Sequence, residues 1–253
     1  GTDALYISLK ALDVDEGSEV IVPAHSWIST SEVVTQAGGK VVFCDTNENT
    51  FDINHKEIEK YITSRTVGII PVHLYGQPCY IDEIMKIAKK YNLWVLEDTA
   101  QAHFAKYKDR NVGTFGIAST FSFYPGKNLG AMGDAGAILT DDYNLSQKMK
   151  MFARHGGLSK GEHLIEGINS RMDGIQGAVL SIKLKYIDEW TKRRQEIANK
   201  YLNNLKNKNL ILPYKKTDVE HVWHLFVIKN KNRDQLKDFL KSKQIDTIIN
   251  YPV

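Results

Sequence analysis

Short apolar runs alternate with amphipathic segments along most of the chain. Runs rich in β-branched and aromatic residues predict six strands, at residues 20–22, 41–44, 67–72, 94–96, 119–123 and 136–139. Apolar positions at helical spacing predict helices at residues 56–62 and 81–91. Strands that alternate with helices in this way are typical of an α/β protein.

The opening residues predict a further helix. Leu5, Leu9 and Leu12 recur at helical spacing, so Gly1 and Thr2 would lie at the helix N-terminus. Backbone amides and the helix dipole favour a phosphate there. The alternative is that Thr2 only caps the helix.

The second half of the chain predicts a linking helix and a smaller domain. A helix should begin after Ser170, with an apolar stripe that packs in the core or at a dimer interface: Met172, Ile175, Val179, Ile182 and Tyr186. Residues 222–229 alternate like a strand of a second layer. We therefore predict a large domain at residues 1–200, including the start of the linking helix, and part of a small domain at residues 201–253.

Composition narrows the range of functions. The net charge is +3, and the basic stretches 192–194 and 215–216 are short, which favours solvated helix faces over a nucleic-acid site. Two cysteines predict no disulfide framework, as in a reducing compartment. No apolar run reaches membrane-spanning length, and the histidine spacing matches no metal site. We expect a cytoplasmic enzyme that binds no metal, nucleic acid or membrane.

Lys127 is the first candidate for chemistry. It follows Pro125 in a loop between two predicted strands, among glycines that we expect to permit turns closed to other residues: Gly126, Gly130, Gly133 and Gly136. A lysine that forms a Schiff base must be held in place and partly desolvated. The alternative is an ordinary solvated loop lysine.

Asp98 is the second candidate. It ends a predicted apolar strand, and ligands of open α/β sheets bind at the carboxyl ends of the strands. A carboxylate there can keep the nitrogen of a pyridoxal phosphate ring protonated. Alternatives are a helix N-cap and a magnesium ligand of a nucleotide hydrolase. The second lacks the glycine-rich loop it requires, and no dinucleotide-binding glycine motif occurs.

These segments resemble the DegT/DnrJ/EryC1/StrS family of nucleotide-sugar aminotransferases over essentially the whole chain. The matching stretches are residues 19–24, 72–77, 97–103, 122–130, 169–173 and 251–252. The resemblance implies a large domain of three α/β/α layers with a mainly parallel sheet (fold type I of pyridoxal phosphate enzymes) and a smaller α+β domain. Because family members extend beyond both ends, we expect the chain to be truncated.

The resemblance also assigns roles to individual residues. It implies that Lys127 forms the Schiff base with pyridoxal 5'-phosphate, that Asp98 pairs with the ring nitrogen and that Gln101 contacts the ring hydroxyl. Trp27 takes the place of the aromatic side chain that stacks on the ring, which its flat face suits. The residues implied to hold the phosphate are Thr2, Asp3, Ser122 and, from the partner subunit of a homodimer, Asn169.

The implied reaction moves an amino group from an amino acid, glutamate in our expectation, to a nucleotide-linked keto sugar for glycan synthesis. The motifs favour the 3-keto position slightly over the 4-keto position. Candidate substrate residues are His155, Arg171 and Tyr251. Two alternatives are a sugar dehydratase of the same fold, which would carry histidine at position 127, and a non-catalytic relative.

The sequence departs from the family pattern at three positions. Phe104 replaces a usual glycine, Asn250 replaces a histidine before Tyr251, and Ser18 replaces an aspartate. The first affects backbone near the cofactor and the second affects the substrate end. None coincides with Lys127 or Asp98.

Overall fold

The computed structural model describes residues 1–252, and its strands form two sheets. The strands are β1 (Glu19–Pro23), β2 (Lys40–Cys44), β3 (Thr66–Ile69), β4 (Trp94–Asp98), β5 (Lys106–Tyr107), β6 (Arg110–Asn111), β7 (Ala118–Ser122), β8 (Gly136–Leu139) and β9 (Val219–Glu220). The large sheet has the order β2-β1-β3-β4-β7-β8, and only its edge strand β8 runs antiparallel to its neighbour. Strands β6, β5 and β9 form the small antiparallel sheet.

Helices cover both faces of the large sheet. They are α1 (Thr2–Ala11), α2 (Ser29–Gln36), α3 (Ile81–Tyr91), α4 (Tyr143–Phe152), α5 (Gly174–Lys183), α6 (Ile187–Asn204) and α7 (Arg233–Ser242), with 3-10 turns at Ile58–Tyr61, Leu74–Gly76 and Leu184–Tyr186. Val20 and Val22 of β1 pack with α1, α2 and α4, whereas Ile21 packs with α3 on the opposite face. Because alternate side chains of a strand point to opposite faces, one strand joins both cores. The predicted three-layer arrangement is confirmed.

Two local predictions match the structure residue for residue, and two others need correction. The strand at residues 136–139 and the helix at residues 81–91 form as predicted, whereas residues 56–62 contain only one 3-10 turn. The strand predicted at residues 222–229 is wrong. Its backbone amides at Val222 and Leu225 bond to the carbonyls of Gly76 and Tyr75 in a loop, so they form no ladder with another strand.

The apolar stripe of α5 faces outward. Ile175 is 69% exposed and Ile182 is 61% exposed, while Tyr186 beyond the helix is half exposed. Core packing of this stripe within the chain is therefore wrong, and packing against a partner subunit stays a prediction.

The last fifty residues contact the rest of the chain through specific bonds. Strand β9 pairs with β5, and the buried Lys216 amine pairs with the buried Asp52 carboxylate. Helix α6 runs on to Asn204, so the boundary predicted at residue 200 lies inside a helix and stays a prediction. No helix among residues 1–252 is both long and apolar enough to cross a membrane.

Candidate functional site

A cavity of about 540 Å³ opens at the carboxyl ends of β4 and β7. Asp98 ends β4 and Ser122 ends β7, and the two strands are neighbours in the parallel part of the sheet. Seven of the residues singled out from the sequence line this cavity: Thr2, Trp27, Asp98, Gln101, Ser122, Lys127 and Tyr251. The carboxyl edge of the sheet thus gathers most of the predicted site.

Lys127 lies in a tight loop whose backbone is held by its own hydrogen bonds. Its amide donates to the Tyr124 carbonyl at 2.8 Å. None of the four glycines around Lys127 has a left-handed φ, so the expected need for such turns is wrong. Gly130 instead allows two backbone segments to approach closely, because a Cβ there would meet the Pro125 carbonyl oxygen at 2.4 Å. Burial lowers the pKa of the Lys127 amine, and nearby Asp98 opposes that shift only in part.

Asp98 is buried and its orientation is fixed. Its carboxylate accepts hydrogen bonds from the Thr30 hydroxyl at 3.2 Å and from the Ala100 amide at 3.0 Å. Its own amide donates to Pro71, and its carbonyl accepts from the His73 amide. The loop that follows Asp98 leads into β5 and not into a helix, so the N-cap alternative is wrong. Asp98 instead presents a negative charge to the cavity wall.

Gln101 is oriented from both ends of its side-chain amide. Its Oε1 accepts from the Tyr75 amide at 2.7 Å, and its Nε2 donates to the Tyr251 hydroxyl at 2.7 Å. The Tyr251 ring also meets the Trp27 ring edge to face, with ring centres 5.8 Å apart. Trp27 itself remains 59% exposed. These aromatic side chains form one wall of the cavity, and the C-terminal residues contribute directly to it.

The N-terminus of α1 also lines the cavity. The Thr2 hydroxyl bonds to the Ser29 hydroxyl at 2.8 Å and does not cap the helix, so the capping alternative is wrong. Ser122 lies close to this turn, because a Cβ on Gly1 would meet the Ser122 Cβ at 2.7 Å. Uncapped amides of a ten-residue helix beside two hydroxyls suit an anionic group such as a phosphate.

The remaining predicted residues lie elsewhere. Asp3, Asn169 and Arg171 line a neighbouring cavity of about 760 Å³, which shares Gly1 and Thr2 with the first. The Ser170 hydroxyl donates to Asp3 at 2.7 Å, and Arg171 Nε donates to Asn169 at 3.0 Å. His155 is exposed and lines neither cavity. The structure therefore does not bring these four residues into the Lys127 cavity of a single chain.

The Lys127 cavity fits pyridoxal 5'-phosphate by its chemistry. It offers an amine with a lowered pKa, a fixed carboxylate and an anion site at a helix N-terminus. These are the groups that an aldehyde, a pyridine nitrogen and a phosphate each require. Within residues 1–252 no cluster of three or more metal-ligating side chains occurs, and Cys44 and Cys79 are both free.

Sequence reasoning missed several residues of the cavity, among them Thr30 and His224. Thr30, on α2, holds Asp98, but a threonine in an amphipathic helix carries no motif. His224 lines the cavity beside Lys127. The sequence did show His224 as a polar residue within the apolar run that we predicted to be a strand.

Comparisons with known proteins agree with this site. The DegT/DnrJ/EryC1/StrS aminotransferase family profile matches residues 1–253. The dTDP-3-amino-3,6-dideoxy-alpha-D-galactopyranose transaminase of Aneurinibacillus thermoaerophilus is 47% identical over 253 residues, which is all of this chain and 70% of that protein. The dTDP-3-amino-3,4,6-trideoxy-alpha-D-glucose transaminase of Streptomyces venezuelae is 40% identical over all of this chain and 67% of that protein.

Solved structures show the same fold. The crystal structure of S. venezuelae DesV in complex with a ketimine intermediate superposes with a TM-score of 0.97 at 40% identity, over all of this chain and 68% of that one. NtdA from Bacillus subtilis with bound cofactor PMP superposes with a TM-score of 0.92 at 36% identity, over all of this chain and 59% of that one.

Proposed function

The chain belongs to the DegT/DnrJ/EryC1/StrS aminotransferase family, a family of pyridoxal phosphate-dependent nucleotide-sugar transaminases, and we propose that it transfers the amino group of glutamate to the 3-position of a nucleotide-linked keto sugar. The observation that carries the proposal is that Lys127 and Asp98 line the same cavity. Bound there, the cofactor supplies an electron sink for the carbanion formed at the amino-acid α-carbon.

Lys127 is the proposed covalent anchor and proton carrier. A lysine with a lowered pKa is uncharged at a lower pH than a surface lysine, so it can act more readily as a nucleophile and as a proton acceptor. Its position in a hydrogen-bonded loop limits the directions from which it can act. Lysine at this position, where the dehydratase alternative has histidine, favours transamination.

The other residues hold the cofactor in our proposal. Asp98 stabilises a protonated ring nitrogen, because its charge is fixed by Thr30 and Ala100. Gln101 orients the ring hydroxyl and Trp27 covers the ring. The phosphate lies at the N-terminus of α1 with Thr2 and Ser122.

Two similar transaminases favour the 3-position. The two transaminases compared above, at 47% and 40% identity, are both named for 3-amino sugars. Glutamate as donor is our proposal from the family resemblance, with Tyr251 at the substrate side of the cavity. The test is to load the protein with cofactor and assay a panel of nucleotide-linked 3-keto and 4-keto sugars with glutamate, glutamine and alanine as donors. Turnover with a 3-keto sugar and glutamate supports the proposal, and turnover only with 4-keto sugars contradicts it.

We also propose a homodimer with shared sites. Asn169 and Arg171 line the cavity next to that of Lys127, and Asn169 is exposed, which leaves it free to reach a neighbouring subunit. The apolar stripe of α5, with Ile175 and Ile182 outward, supplies a surface that a two-fold partner could cover.

A further inference from the structure

Hydrogen bonds hold a four-residue segment, 221–224, whose last residue lines the cavity of Lys127. Arg194 of α6 donates to the Trp223 carbonyl at 3.1 Å, and Gln195 donates to the His221 carbonyl at 3.2 Å. From the other side, the amide at position 222 donates to Gly76 at 3.0 Å. Helix α6 and the Gly76 loop therefore fix the backbone of this segment from two directions.

The segment is also bonded to the neighbour of Lys127 in sequence. Asn128 is 5% exposed, and its Nδ2 donates to the Val222 carbonyl at 2.9 Å. Its Oδ1 lies 3.1 Å from His224 Nδ1. Because the Asn128 nitrogen is already used as a donor, its oxygen must be the acceptor. His224 therefore carries its proton on Nδ1, and its Nε2 is a bare acceptor.

That acceptor is available to the cavity. His224 lines the same cavity as Lys127, and with Nδ1 turned to Asn128 only Nε2 is available to the cavity. Among residues 1–252, none donates a hydrogen bond to Nε2. The cavity wall thus contains a fixed, neutral acceptor without a donor, and the same cavity contains the Lys127 amine, which has no acceptor within residues 1–252.

The charges around His224 keep it neutral. Burial, and then the charges of Lys127 and Arg194, lower the pKa of His224 to about 3. His103, the other imidazole near Lys127, is uncharged as well, because burial lowers its pKa to about 4. Asp98 is the acidic group whose charge acts on Lys127.

We propose that His224 is a positioning residue for Lys127, and that its Nε2 accepts a hydrogen bond from the Lys127 amine when the lysine side chain turns toward it; in the structure the two side chains line one cavity without this bond. The proposal deepens the assignment of Lys127 and rests on that assignment. A hydrogen bond from an ammonium to a neutral acceptor stabilises the charged amine, so His224 should hold the pKa of Lys127 above the value that burial alone would give. This hydrogen bond would orient the amine without placing a second negative charge beside it, in addition to that of Asp98.

Two substitutions test the roles of the two His224 ring nitrogens separately. The side-chain amide of His224→Asn reaches only the Nδ1 position, so it retains a donor to Asn128 and removes the acceptor in the cavity. The amide of His224→Gln reaches the Nε2 position, so it retains an acceptor and loses the donor to Asn128. The pKa of Lys127 is read in cofactor-free protein from the pH dependence of acetylation by acetic anhydride, followed by peptide mass spectrometry. The exposed Lys237 serves as the internal reference.

We expect His224→Asn to lower the pKa of Lys127 by roughly one unit, and His224→Gln to leave it close to the wild-type value. Equal values in wild type and His224→Asn, or equal shifts in both variants, would overturn the proposal. Nitrogen-15 NMR spectra of the wild-type protein show which ring nitrogen of His224 carries the proton, and they need no folded variant. A proton on Nδ1 of His224 from pH 6 to pH 9 agrees with the proposal, and a proton on Nε2 contradicts it. Because these readouts use cofactor-free protein, they are independent of whether Lys127 binds the cofactor.

Discussion

His73 Nε2 donates a hydrogen bond to Glu97 at 3.0 Å, and neither side chain is exposed to solvent. The Cys79 amide donates to His73 Nδ1 at 3.1 Å, so Nδ1 acts as an acceptor and the proton on Nε2 faces Glu97. The second Glu97 oxygen accepts from the Phe115 and Gly116 amides. Glu97 thus joins β4 to two loops at the residue before Asp98, which fixes the strand end that carries the site.

Glu97→Gln should therefore destabilise the fold strongly. Either orientation of the new amide places an NH2 group against existing donors, so we expect a loss of about 3–5 kcal/mol in the free energy of unfolding. Hydrogen bonds from His73 and the loop amides outweigh burial and lower the pKa of Glu97. Its stabilisation is complete above the unfolded pKa of about 4.3 and is lost as the pH falls below it. Urea denaturation at pH 7 and pH 4 measures both effects.

The matched control for Glu97→Gln is Glu83→Gln, which removes an exposed ion pair with Lys86 on α3. It should leave the unfolding midpoint nearly unchanged. A Glu97→Gln protein as stable as this control would show that the buried carboxylate is not required.

The buried ion pair of Lys216 and Asp52 should behave as one unit. The Lys216 amine also donates to the Pro78 carbonyl at 2.8 Å and lies 3.9 Å from the centre of the Tyr80 ring. Lys216→Met leaves a buried carboxylate without its partner and should cost about 3–5 kcal/mol, whereas the double variant with Asp52→Leu should recover part of that loss. Thermal or urea unfolding of the four proteins completes the cycle. Additive losses would contradict the coupling.

Asp98→Asn should slow catalysis while preserving the fold. The asparagine keeps the shape of the side chain and can still bond to Ala100 and Thr30, but it removes the charge beside the ring nitrogen. We expect turnover to fall by about 100-fold or more. Asp141→Asn, at an exposed position outside both cavities, is the control. Wild-type turnover together with an unchanged cofactor spectrum would exclude Asp98 as the ring partner.

Shared sites predict that two inactive proteins rescue each other. Lys127→Ala and Asn169→Asp should each be inactive, the second because it places a negative charge against the phosphate. A mixed dimer would contain one site with both defects and one with neither. Activity should return on mixing, as measured by turnover after subunit exchange. Exchange without activity, or an active monomer by sedimentation, would contradict shared sites.

Apolar runs in the sequence were sufficient to predict where two residues of the cavity lie. Asp98 and Ser122 are found at the strand ends that these runs predicted, since parallel strands end at one edge of the sheet. The sequence pattern was insufficient where hydrogen bonds to distant residues took the place of hydrogen bonds between neighbouring strands. Residues 222–229 have the alternation of a strand, but Gly76, Tyr75 and Arg194 bind their backbone groups. No local pattern records such distant partners, which is also why Thr30 and His224 were missed.

The most direct test of the account is where the cofactor attaches. Wild-type protein incubated with pyridoxal 5'-phosphate is reduced with borohydride, digested and analysed by mass spectrometry, alongside Lys127→Ala and the control Lys150→Ala, which alters a lysine of the neighbouring cavity. We predict that the cofactor is found on Lys127 in wild type and in Lys150→Ala, and that Lys127→Ala carries no covalent cofactor and no transaminase activity. Covalent cofactor on another lysine, or near-normal turnover of Lys127→Ala, would contradict the account.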